Sequence, residues 1–342
     1  MRALALHPDA LLVTSALLQV NCVIVRGTVA GGYCGYSGGS GDGEGVVQVR
    51  PSGVSGAAGT AGADVPADAP YNHGDTAVEK SDTPAAQWGA ESFVIDSPVL
   101  PDELDALGAL IEQAGFPAPS GLLATHGDWD HLLGRLAFPG AALGVAESTA
   151  ERLRASPGEA QRQLRSFDEE LLIERPRPLA LGSVQALPVP GRCDLGDLEL
   201  ELHPTGGHTP DGMAVLLGWA GVLVAGDYLS SVEIPSLSGP SLRGGGDLEA
   251  YVATLERLRP LVAGAEHVVP GHGPIHDAAG AGAVLEEDLA YLRALAERGA
   301  EAELPPGRRG AAQRDLHSAN VAALSPAAPG PRAPRPRTSR ER

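Results

Sequence analysis

The run Thr125-His126-Gly127-Asp128-Trp129-Asp130-His131 places two imidazoles and two carboxylates within six residues. Acids packed this closely repel one another, and a bound cation removes that cost. Three further donors follow: His208 in Gly206-Gly207-His208-Thr209-Pro210, Asp227 directly after the apolar run Val222–Gly226, and His272 in Pro270-Gly271-His272-Gly273. Neighbouring glycines let the backbone turn sharply and approach closely. A single Gly-His pair usually marks only a turn. Taken together, His126, Asp128, Asp130, His131, His208, Asp227 and His272 are expected to hold two divalent cations, zinc by preference or harder manganese or iron. The chemistry expected of such a set is attack by activated water on a carbonyl or phosphoryl centre, with no side-chain nucleophile. Asp130 is placed as a group that orients the nucleophile or takes a proton. Tyr228, beside Asp227, is a candidate donor to a developing oxyanion. Trp129 reads as a packing wedge, and His203 and His276 lie off the pattern.

Short apolar runs must deliver these donors. Leu11 to Val25 reads as two strands. Glu91–Asp96 reads as a strand ending in an acid, and Leu122–Thr125 as a buried strand entering the histidine-rich loop. Asp102 is the expected N-cap of a helix carrying Leu104, Leu107, Leu110 and Ile111 at helical spacing, closed by Gly115 and Pro117. Further strands are expected over 142–146, 198–203, 213–217, 222–225 and 266–269. Helices are expected over about 148–175 with a break at Pro157-Gly158, over 247–262, and over about 281–298. Residues 27–89 are rich in Gly, Ala, Ser, Asp and Pro, and read as a disordered insertion holding at most a lone strand at Val46–Val49. From Pro305 onward Pro, Ala, Gly and Arg dominate, so 305–342 reads as a disordered Pro/Arg-rich tail. The domain expected is therefore 1–304, interrupted by 27–89. Strand pairs on short turns, with helices outside, suit a four-layer α/β/β/α sandwich.

In order and spacing the donors resemble the metal motif of the metallo-β-lactamase-fold hydrolase superfamily, His-x-His-x-Asp-His followed by a separate His, an Asp and a final His. The resemblance covers about 10–26 and 91–275. It implies an αββα sandwich with metals at one edge between the sheets. It implies His126 and His208 as ligands of a first site, Asp130, His131 and His272 of a second, and Asp227 as the bridge. Asp96 matches an acid that supports the loop from behind. Asp128 departs from the pattern, which has histidine there. It is either a harder ligand or an outer acceptor.

Substrate is narrowed by exclusion. The chain carries a formal charge of −18 and a single lysine, Lys80, which argues against nucleic acid and against a lysine grip on a substrate carboxylate. The acidic run Glu286-Glu287-Asp288 argues against a glutathione site. A small ester, thioester or lactone is the expected substrate class. An iron persulfide dioxygenase-like oxidoreductase, or a non-catalytic metal-binding protein, are the alternatives. Three cysteines without C-x-x-C spacing, no signal-peptide pattern and no long apolar stretch lead to the expectation of a cytoplasmic protein without membrane spans. The sequence leaves the oligomeric state open.

Overall fold

The computed structural model describes residues 1–27, 91–237 and 246–324. The suggested strand at Val46–Val49, Lys80 and the terminal arginines lie outside these residues. The first sheet contains β1 (Arg2–His7), β2 (Ala10–Thr14), β3 (Asn21–Gly27), β4 (Glu91–Ile95), β5 (Gly121–Leu123), β6 (Ala142–Ala146) and β7 (Val184–Leu187), in that spatial order. β1 to β4 pair antiparallel, and β4 to β7 pair parallel. The crossovers carry α1 (Pro101–Gln113), α2 (Gly134–Ala137), α3 (Glu147–Ala155) and α4 (Glu159–Leu171). The second sheet contains β8 (Gly191–Leu195), β9 (Leu198–Pro204), β10 (Met213–Leu217), β11 (Val222–Gly226) and β12 (His267–Pro270), ordered β12-β11-β10-β9-β8. α5 (Leu248–Gly264) crosses between the parallel strands β11 and β12, and α6 (Ala278–Arg298) and α7 (Ala311–Leu324) follow.

The period of two along each strand builds four layers. On β3, Val23 and Val25 join an inter-sheet core with Ile95, Leu123, Leu200, Leu202, Val215 and Val224, whereas Cys22 and Ile24 face outward with Leu104, Leu107 and Ile111 of α1. On β11, Val222 and Val224 point between the sheets, while Leu223 and Ala225 meet Leu255 and Leu258 of α5 and Leu285 and Leu289 of α6. The αββα expectation therefore holds.

Some expectations need correction. β1, β7 and β8 were not anticipated; β7 and β8 are short and each has a single buried residue, Leu187 and Leu195, so no apolar run marks them. α1 begins two residues earlier than expected, at Pro101 with Leu100 rather than Asp102 as the N-cap, because proline at the first helical position has φ already set. Order also continues past residue 305. α7 occupies 311–324, and the Arg308 side chain is among the largest fully buried ones. A polar, Pro-rich stretch reads as a tail when its tertiary partners are unknown.

Candidate metal centre

The two sheets meet at one edge, where the chain leaves the C-terminal ends of β4, β5, β11 and β12. Asp96 follows β4, the 126–131 loop follows β5, Asp227 follows β11, and His272 follows β12; His208 comes from the β9–β10 connection. Ligand sites commonly form outside the carboxyl ends of parallel strands. Asn21, at the start of β3, ties the sheets together there. Its backbone N–H donates to Gly271 O at 2.8 Å, and its side-chain amide donates to Pro270 O and Gly273 O, each at 2.8 Å. The wall is tight: a Cβ on Gly271 would lie 1.9 Å from Asp227 Oδ1. Three non-glycine residues of the wall, Leu18, Gln19 and Asp96, have φ between 51° and 58°. Such left-handed strain gathers where surroundings force a functional geometry.

All seven predicted donors converge, and all are buried or nearly so. His126 Nε2 lies 3.7 Å from both Asp128 Oδ2 and Asp227 Oδ2. His208 Nε2 lies 3.8 Å from Asp128 Oδ2 and 3.3 Å from Asp227 Oδ2. On the other side, His131 Nε2 lies 3.1 Å from Asp227 Oδ1 and 3.9 Å from Asp130 Oδ2. His272 Nε2 lies 3.3 Å from Asp130 Oδ2 and 3.4 Å from Asp227 Oδ2. Asp227 thus stands between two groups, His126/Asp128/His208 and Asp130/His131/His272.

These residues fit cations. A tetrahedral ion with bonds of about 2.0–2.1 Å has donor–donor edges of about 3.3 Å, close to the separations above. Among the described residues, Nε2 of His126, His131 and His208 and Oδ1 of Asp227 are buried without a hydrogen-bond partner, although buried polar atoms are nearly always paired. Each imidazole is meanwhile held through Nδ1, which leaves Nε2 for the centre: His126 by Thr125 Oγ1 at 3.2 Å, His131 by Asp96 Oδ2 at 3.0 Å, His208 by Ser236 O at 3.3 Å and His272 by Leu18 O at 3.0 Å. Outer partners of this kind orient metal-binding histidines. Asp96 also accepts from the Thr125 backbone N–H at 2.8 Å and from Thr125 Oγ1 at 3.0 Å, so it braces the loop from behind.

The electrostatics point the same way. Burial works against a charged His208, yet Asp128 and Asp227 overcome it and raise the imidazole to about 10. His131 and His272 are likewise raised well above the usual range against burial, His131 first by Asp96 and His272 first by Asp227. Burial would raise Asp128, but His126 and His208 hold it well below the ordinary carboxylate range. The pocket calls for positive charge.

Other predicted residues fall as follows. Tyr228 is buried and its hydroxyl accepts from the His208 backbone N–H at 3.1 Å. It does not line the cavity beside the cluster, which His208, Asp227, His272, Ser230, Glu233 and Ser236 help to form. Trp129 packs on Phe167, centroids 4.5 Å apart, as a wedge. Sequence reasoning missed Arg152 of α3, which donates to Asp128, and Asp211 of the β9–β10 connection, which accepts from Arg152. Position alone sets no arginine apart from the others in this chain. It also missed Ser236 and the contacts that hold it.

The sequence model of the metallo-beta-lactamase superfamily matches residues 100–272, just over half of the chain. The chain belongs to the metallo-beta-lactamase superfamily. Among relatives of this superfamily member is a hydroxyacylglutathione hydrolase from Anaeromyxobacter dehalogenans, 29% identical over 245 residues, spanning 70% of this chain and 72% of that one. A metallo-beta-lactamase family protein from Thermus thermophilus shares the fold with a TM-score of 0.56 at 18% identity, over 94% of this chain and 93% of that one. A stereoselective inverting sec-alkylsulfatase from Pseudomonas sp. also shares it, with a TM-score of 0.52 at 15% identity, over 68% of this chain and 45% of that one. Among the described residues, no helix is long and apolar enough to cross a membrane.

Proposed function

We propose that this superfamily member is a binuclear metal-dependent hydrolase acting on a small ester, thioester or lactone. One observation carries the reading: four imidazole Nε2 atoms and the carboxylates of Asp128 and Asp130 gather around Asp227, with the imidazole Nδ1 atoms already tied to the protein. His126, Asp128 and His208 would hold one cation, Asp130, His131 and His272 the other, and Asp227 both. Two such cations, zinc or harder manganese or iron, supply Lewis acidity and an activated water. The protein's part is to orient the donors, exclude bulk water through the surrounding buried wall, and keep Asp130 where a carboxylate can hold or pass a proton. Burial pushes the Tyr228 phenol up, so it stays protonated. Its place behind His208 supports a bracing role.

A thioester gains support from the hydroxyacylglutathione hydrolase relative. The acidic run that argued against a glutathione site loses that force, because its carboxylates are partnered. Glu286 meets Arg259, and Glu287 and Asp288 meet Arg308.

Metal content and turnover test the proposal together. Purified protein is expected to carry two zinc or manganese ions per chain and to turn over members of an ester, thioester and lactone panel, with loss on chelation and recovery on metal return. Asp227→Ala is expected to lose both ions and all turnover. One iron per chain would favour the dioxygenase alternative. Two ions without turnover of any panel member would favour a non-catalytic binding protein.

A further inference from the structure

Arg152 reaches from α3 into the wall of the metal centre. Its Nη2 donates to Asp128 Oδ1 at 2.6 Å, and its Nη1 donates to Asp211 Oδ1 at 2.7 Å. Asp211 Oδ2 in turn accepts from the Gly127 backbone N–H at 3.0 Å. The side chains of Arg152, Asp128 and Asp211 are 13%, 8% and 1% exposed, so solvent screens this chain of contacts little. The two oxygens of Asp128 are therefore divided. Oδ1 belongs to the guanidinium, while Oδ2 sits 3.7 Å and 3.8 Å from the imidazoles of His126 and His208.

We propose that Arg152 is a positioning residue that fixes Asp128 as a one-oxygen donor to the first cation, so that each cation meets two imidazoles, one carboxylate of its own and the shared Asp227. The inference rests on the binuclear reading above. An aspartate carboxylate turns easily about its last torsion, and carboxylates bind cations through one oxygen or both. A planar guanidinium with donors in a fixed fork removes that freedom. Asp211 anchors the far side of the fork and also holds the backbone of the metal loop. Asp128 replaces a histidine without adding a loose donor, and Arg152 offsets the charge that the replacement brings.

The test uses full-length protein loaded with zinc and challenged with rising chelator, with zinc per chain read by mass spectrometry. The wild type is expected to hold two ions. Arg152→Gln is expected to surrender one of them at a chelator concentration about tenfold lower or more, the usual cost of losing an outer partner, while the other ion follows the wild-type curve. Electrostatics alone predicts the opposite, because removing a positive charge beside a cation site tightens binding. A packing role alone would lower the thermal midpoint without separating the two ions. An Arg152→Gln curve that matches the wild type, or shifts toward tighter binding, overturns the proposal. Should that variant fail to fold, Asp211→Asn and Arg152→Lys are expected to shift the same ion in the same direction, and two unshifted curves would overturn it equally. A wild type that retains fewer than two ions refutes the binuclear reading and this inference with it. Two retained ions with insensitive variants refute only the role of Arg152.

Discussion

Protons stand in for cations when the cluster holds no metal. Asp128, Asp130 and Asp227 are buried among four imidazoles, and the imidazoles of His131, His208 and His272 take up protons that burial would otherwise expel. A ligand imidazole must be neutral, so metal uptake has to displace these protons. The sign follows from the raised values: with His208 at about 10, the competing proton is bound at pH 7 and leaves as pH rises. Apparent zinc affinity is therefore expected to climb between pH 6 and 9 by about tenfold per unit or more, equivalent to at least one proton released per ion. Isothermal calorimetry in buffers of different ionisation enthalpy reads that release directly; no buffer dependence would show imidazoles already neutral. At this scale the seven donors were legible because each sits on a local signature of His, Asp and Gly. Asp128 was legible only as a question, ligand or outer acceptor. The geometry turns one oxygen toward Arg152 and the other toward the centre, so neither alternative describes it alone.

Helix α7 shows how an element far along the chain reaches the site. Asn320 Oδ1 accepts from the Leu237 backbone N–H at 2.8 Å, and its amide donates to Pro235 O at 2.7 Å. Gln313 accepts from the Ile234 N–H at 2.9 Å, and Arg308 donates to Ser230 O and Glu233 O at 3.0 Å and 2.9 Å. These contacts fasten residues 230–237, whose Ser236 carbonyl receives His208 Nδ1. Asn320 is fully buried, so Asn320→Ala leaves a backbone donor and acceptor without partners. That is expected to cost on the order of 1–3 kcal/mol in a urea unfolding curve. An unchanged midpoint would show that the loop holds itself. Nothing in the local sequence announces this strap. Arg308 looks like one more residue in a Pro/Gly/Arg-rich stretch until Asp288 is found 2.5 Å away. The strands β7 and β8 were hidden for a related reason: they are short with a single buried residue each, and only pairing with β6 and β9 defines them.

Across the whole molecule, β3 ends at Gly27 and β4 begins at Glu91, and these two residues face each other in the antiparallel ladder. The chain therefore leaves and re-enters the first sheet at adjacent points, as a hairpin does. Replacing residues 28–90 with a short Asn-Gly turn is expected to leave a cooperatively unfolding protein with its metal stoichiometry intact. A non-cooperative product would assign the removed residues to the core. The superfamily, the αββα layering and the donors were determined by the sequence itself, because metal-ligand chemistry allows few residue types and each strand carries its period of two in its own residues. How closely the donors approach one another, how the Asp128 carboxylate is divided between Arg152 and the cluster, and that a polar C-terminal stretch packs against residues 230–237 were decided by the tertiary structure. The opening loop at His126 to His131 names four of the seven donors, but Arg152, Asp211, Ser236 and Asn320 act through partners distant in the chain. Such contacts leave no periodicity in any local window and exist only once the sheets and helices have closed on one another.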